Sequence, residues 1–277
     1  MSVMSAPSRR QWLSKAGQAL AGSACVGLGP WLLPEASAQV ASLNEAINKA
    51  GRQRMLSQRM AKAWLALGQG VNARRAERIM ADSMALFDRQ FVELKAYAPT
   101  DAIRATFQAL EPAWAEYKAA LVGHSPDRST APILLGLDAK VLKLAHQGTV
   151  QLEQYSGRPS GKLVNMAGRQ RMLSQRTAKF YLSQRWGAAV PDALRELNTA
   201  RVEFVAASKI LTDAPQATPA IRQLLSLAQQ QWVFFDNALS RAGERSGADQ
   251  HALEVFSSSE NILAVMDRVT GLYSQID

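Results

Sequence analysis

Apolar residues along this chain recur in alternating steps of four and three, the a/d spacing of helices that bury one stripe. Met80, Met84, Phe87, Phe91 and Leu94 form one such seam, and Ile103, Phe107, Leu110, Trp114, Tyr117 and Leu121 a clearer one. The second seam returns 118 residues later as Ile221, Leu225, Ala228, Trp232, Phe235 and Leu239. Val141, Ala145, Gly148, Leu152 and Tyr155 make a further seam, matched at an offset of 121 by Ile262, Met266, Val269, Tyr273 and Ile276. No segment alternates with the period of a strand. The offset grows only between seams, so the extra residues belong to loops.

Each half therefore reads as four helices. Breaks fall near 68–70, 99–101 and 123–132 in the first half, and near 187–191, 215–219 and 243–247 in the second, where Gly and Pro gather. Asp101 and Thr218 are candidate caps, with Pro219 at a first helical position. Pro112 inside a seam predicts a kink or a late helix start. The predicted fold is all-α, two tandem up-down four-helix bundles over 39–156 and 157–277, joined by a linker at 156–161.

The first helix of each half is unlike the others. Ala50-Gly51-Arg52-Gln53-Arg54-Met55-Leu56-Ser57-Gln58-Arg59 recurs letter for letter from Ala167 to Arg176, at an offset of 117. Asn48 also matches Asn165, and Ala61-Lys62 matches Ala178-Lys179. The seams keep only their period, because packing constrains volume loosely, whereas a site constrains identity. On a helix, Ile47, Gly51, Arg54, Gln58 and Leu65 share a face, and Val164, Gly168, Arg171, Gln175 and Leu182 repeat it. A glycine there gives up about 1 kcal/mol of helix propensity, a cost that close approach of another backbone or a ligand can justify. Arg54 and Arg171, one turn on, bring a planar fork of donors into that gap, which calls for an anion, a carboxylate or water. Arg52 and Arg59 point elsewhere, to solvent or to acids of neighbouring helices.

Charge and the N-terminus add a setting. The formal charge is +9, and only three bases and one acid lie in 1–38, so the basic balance belongs to the folded part and favours an anionic partner. Ser8-Arg9-Arg10-Gln11-Trp12-Leu13, an apolar stretch to Leu33 and Ala36-Ser37-Ala38 read as a twin-arginine export signal over 1–38, cleaved before Gln39. That leaves a periplasmic chain without Cys25, the single cysteine, and without a stable membrane span. No kinase or methyl-accepting region follows Asp277, so a partner is expected to relay any signal.

The box resembles that of the periplasmic sensor domains of bacterial nitrate/nitrite sensor kinases of the NarX type. It is also similar to the N-terminal domain of PilJ-type chemotaxis transducers of type IV pili. Both copies fit the pattern Ile-Asn-x-Ala-Gly-x-x-Arg-Met-x-Ser-x-Arg, with Val164 in place of the Ile, while Gln53 and Gln170 stand where a neutral, often leucine, residue is common. The resemblance implies a four-helix sensor bundle that dimerises and holds one nitrate between two first helices. The ligand-binding positions it assigns here are Gly51, Arg54, Gly168 and Arg171. Since both boxes occur in one chain, the two first helices are expected to pack together within one molecule, Arg54 facing Arg171.

Other chemistries are poorly represented. With three His and one Cys there is no metal set, and Asp236 and Asp267 have no companion at ligand spacing. His124, in a loop, and the isolated His146 and His251 read as structural or solvated. Trp114 and Trp232 are seam residues, so core. Neither a nucleophile triad nor a phosphate loop is visible; no cofactor, catalysis or nucleic-acid partner is expected. Two readings stand: a periplasmic module for a small oxyanion, nitrate or nitrite favoured, and a ligand-free module docking to a sensor kinase, chemotaxis or type IV pilus component.

Overall fold

The computed structural model describes residues 40–123, 125–188, 192–241 and 247–276; the export signal and His124 lie outside them. Within these residues all regular structure is helical, in eight helices: α1 (Leu43–Gly68), α2 (Ala73–Tyr97), α3 (Asp101–Gly123), α4 (Ala131–Ser156), α5 (Pro159–Trp186), α6 (Ala193–Asp213), α7 (Pro219–Ser240) and α8 (Ala248–Ser274). None of the helices in the described residues is long and apolar enough to cross a membrane.

In the first half α1 packs on α2 and α4, and α3 on α4; in the second α5 packs on α6 and α8, and α7 on α8. Each four-helix ring is closed by an aromatic stack, Phe87 on Trp114 at 4.0 Å and Phe204 on Trp232 at 3.8 Å. The most extensive packing of all is α1 on α5, which joins the halves side by side in one compact unit. This is the pairing of first helices expected from the duplicated box.

The seams of α3 and α7 are buried throughout, Trp114 and Trp232 included. Tyr155, at the end of its seam, is instead exposed, because α4 stops one residue later. α3 runs unbroken through Pro112, so there is no late start. Thr218 caps α7 by accepting the Ile221 N–H, but Thr100 and not Asp101 caps α3, its Oγ1 accepting the Ile103 N–H at 3.3 Å.

The anticipated linker at 156–161 shrinks to Gly157 and Arg158. Gly157, at φ 61°, closes α4 with its N–H on the Glu153 carbonyl, and Pro159 opens α5. Ser160 and Gly161 are helical and buried; a Cβ on Gly161 would stand 3.1 Å from Ile47 Cδ1 of α1.

Neither α1 nor α5 is amphipathic, a departure from the one-faced helix the box suggested. Every residue from Ala46 to Ala66 is buried except Arg52 and Arg59, and from Ala167 to Ser183 except Arg169 and Arg176. Each lies between two helices of its own half and the first helix of the other. Their polar side chains must therefore be satisfied inside the protein. At the far end of α1, a Cβ on Gly68 would meet Trp186 Cη2 at 2.3 Å and Pro126 Cβ at 2.8 Å, with Trp186 held edge-on by Trp64. Gly68→Ala is expected to destabilise the fold by about 1–3 kcal/mol; an unchanged urea midpoint would contradict this packing.

Candidate anion site where the repeated helices cross

Gly51 and Gly168 mark the crossing. A Cβ built on Gly168 would lie in ordinary contact, 4.0 Å, with the Gly51 Cα, so the two backbones come close together here. The same Cβ would lie 3.2 Å from Arg171 Nη2 and 3.6 Å from Arg54 Nη2; one on Gly51 would lie 3.1 Å from Arg54 Nη2 and 3.7 Å from Arg171 Nη2. All four box residues are thus brought together, with two guanidinium groups converging on one gap.

Both arginines are fully buried. Each reaches across to the asparagine of the opposite box. Arg54 Nη2 donates to Asn165 Oδ1 (2.6 Å) and to the Asn165 carbonyl (3.3 Å), and Arg171 Nη2 to the Asn48 carbonyl (3.2 Å). Asn165 in turn donates to Glu153. The Nε of both arginines and Asn48 Oδ1 are buried without a partner.

The remaining contacts break the symmetry. Arg171 Nη1 donates to Asp267 Oδ1 at 2.5 Å, which also takes Arg52 at 2.7 Å. Arg54 Nη1 meets His146 Nδ1 at 3.2 Å. His146 stands 121 residues before Asp267, the offset of the two last seams. The same place thus holds a carboxylate in one half and an imidazole in the other. His146, which the sequence reading left isolated, is therefore in contact with a box arginine.

Electrostatics follow from this. Burial, with Arg169 and Arg171 nearby, pushes Arg54 down to about 9 despite Glu153. Burial and Arg52 lower Arg171 only to about 10, since Asp267 works the other way. Arginine stays protonated at neutral pH, so the shift marks positive charge that is under-compensated, more so at Arg54.

Burial, then Arg54 and Arg169, lower His146 below its usual 6.5. An arginine only donates, so Nδ1 accepts here and the ring is neutral. A depressed folded-state pKa means stability present above about 6.5 and lost as pH falls through the folded value. His146→Gln should reduce the loss of stability on acidification below about pH 6.5; unchanged pH dependence would count against this role.

Arg52 and Arg59 pair with acids, as one of the two sequence readings had it: Arg52 with Asp267, and Arg59 with Glu260 at 2.5 Å. Asp236 pairs with Arg201, and no cluster among the described residues could hold a metal. What sequence reasoning missed is the buried ionic layer below the crossing. Lys62 Nζ lies 2.7 Å from Glu260, and Lys179 Nζ 2.6 Å from Asp138. Each lysine belongs to one half and its acid to the other. The repetition of Ala61-Lys62 at Ala178-Lys179 was the available signal.

A family model described as type IV pili methyl-accepting chemotaxis transducer N-term, PilJ, matches residues 36–133 and again 156–272. The chain belongs to the PilJ family. It carries the domain twice, one copy in each half, and this makes it a sensing and signalling module of the chemotaxis-transducer kind. Both boxes fall inside the matched segments, and so does Asp267; His146 and Asp138, on α4, fall between them. No curated protein and no solved structure matches the chain.

Proposed function

We propose that this PilJ-family protein is a periplasmic sensing module, exported by the twin-arginine route, that binds one small oxyanion at the crossing of α1 and α5. Arg54 carries the reading: a fully buried guanidinium with a free Nε, no carboxylate of its own, and a second guanidinium converging on the same glycine-lined gap. A monovalent anion there relieves the repulsion between Arg54 and Arg171 and accepts charge-assisted hydrogen bonds. Nitrate and nitrite are favoured by the resemblance of the box. Because both boxes lie in one chain, a monomer suffices. Binding biases the α1–α5 contact, which a chemotaxis or sensor-kinase partner can read.

Calorimetric titration with nitrate, nitrite, sulfate and chloride tests this. One saturable site for nitrate or nitrite per monomer is expected, lost in Arg54→Gln. Ligand should raise the melting temperature with the logarithm of its concentration above the dissociation constant.

A docking module without a ligand is the second reading, and one observation favours it. Val202 and Val205, exposed on α6, line a cavity of about 610 Å³ that reaches Trp232, and Val233 and Phe234 of α7 are exposed as well. Absence of saturable binding by every anion to a folded protein would select it.

A further inference from the structure

A cavity of about 300 Å³ opens between α4 and α5 beside Arg54, the lower end of the size of small-molecule sites. Its polar lining is Arg54, Lys143, His146, Arg169 and Arg176, with no acid among them. Arg169 and Arg176 are already matched by Glu203 and Glu196 of α6. Arg54 has no carboxylate, and Lys143 is exposed with no ion pair among the described residues. The rest of the wall is apolar: Ala139, Leu142 and Met172.

The second half shows what completes such a guanidinium. There Asp267 occupies the place of His146 and gives Arg171 its carboxylate. We infer that the α4–α5 cavity is a pocket for one short organic carboxylate per chain, its head group on Arg54 and His146 and its carbon chain on Ala139, Leu142 and Met172. The second half carries Asp267 as a built-in equivalent and takes none. This rests on the reading of Arg54 as an anion anchor, and it sets the ligand on the α4 side of that guanidinium with a carboxylate as its class. Both residues line the cavity and have donors to offer: Arg54 an Nε without a partner, and His146 the Nε2–H that its Nδ1 contact leaves protonated. An apolar wall is of no use to a bare inorganic ion but holds methylene groups out of water.

The geometry gives a direct test, because the proposed ligand can be installed or removed by one side chain. The purified protein is titrated with acetate, propionate, butyrate, nitrate and chloride at fixed ionic strength. One carboxylate per chain is expected, each added methylene tightening binding by about fourfold until the wall is filled. His146→Asp, copying the other half, should abolish binding and raise the melting temperature. Asp267→His should create a second site, while His146→Asn, which keeps the cavity, should bind more weakly than wild type. Nitrate binding through Arg54 with no carboxylate binding would overturn the class proposed here and leave the oxyanion reading standing. A folded wild type that binds no anion would overturn both. Two anions per wild-type chain, or undiminished binding in His146→Asp, would overturn the asymmetry.

Discussion

Asp138→Asn is expected to lower the free energy of unfolding by about 3–5 kcal/mol, the usual cost of leaving one partner of a buried ion pair behind. Asp138 is fully buried on α4 and accepts from Lys179 of α5 at 2.6 Å and from Gln58 of α1 at 2.6 Å. Asparagine keeps the shape but replaces one acceptor by a donor and removes the charge. The Lys179 ammonium, itself buried, is then left uncompensated, and its pKa, already lowered by burial, loses the opposing pull of Asp138. Lys179→Met in the Asp138→Asn background should recover much of the loss, because no buried ammonium then lacks a partner. As a control, Glu116→Gln removes an exposed partner of Lys140 and should change little. Urea unfolding of the four proteins decides it; a loss near that of the control would mean that the ionic layer is solvated in solution.

The seams fixed the helices because apolar spacing in α2, α3, α4, α7 and α8 reports a one-sided environment. Phe107, Leu110, Trp114 and Tyr117 face one core, and a period is all that such a face requires. α1 and α5 gave no such period since they have no solvent side, and a buried helix rich in Gln, Ser, Arg and Lys looks in sequence like a surface helix. Identity of the box, not its hydropathy, marked it. The partners of the box could not be read in advance. Asp138, His146, Glu260 and Asp267 are scattered polar residues on otherwise ordinary helices; His146 and Asp267 meet Arg54 and Arg171 within their own halves, whereas Asp138 and Glu260 reach Lys179 and Lys62 only because the halves pack through α1 and α5. Gly157 and Pro159 together carried the signal for a tight joint, where Gly and Ser at 156–161 suggested a loose one.

The asymmetry between the halves has the same origin. Arg52 and Arg59 of α1 reach α8 of the other half, at Asp267 and Glu260, whereas Arg169 and Arg176 of α5 stay with Glu203 and Glu196 of α6 in their own half. Identical boxes therefore meet different surroundings. α8 supplies two acids to the crossing and α4 supplies Asp138 and His146. The net result is more uncompensated positive charge on the Arg54 side, which is where the α4–α5 cavity lies.

Glu260→Gln should cost about as much as Asp138→Asn, and its pH signature should be sharper. Burial raises the Glu260 pKa, but Lys62 and the Arg59 guanidinium overcome it and hold the carboxyl at about 2. The folded value lies below the ordinary one, so this contribution is present above pH 4.5 and is lost as pH falls toward 2. Wild type should weaken across that window, and Glu260→Gln, weaker from the start, should weaken less. Burial also penalises the Lys62 ammonium, lowering it to about 8, and Arg59 holds the same carboxylate through two nitrogens. Lys62→Met should accordingly cost less than Glu260→Gln, because Arg59 keeps its two-pronged contact with the carboxylate. The double variant gives the coupling between them. A larger loss in Lys62→Met than in Glu260→Gln would reverse this account of the site. Glu260 ties α8 to α1 while Asp138 ties α4 to α5, so together they set the register of the two box helices. That register is what brings Arg54 and Arg171 to the same glycine gap, and Glu260→Gln should therefore weaken anion binding from a position that touches no ligand.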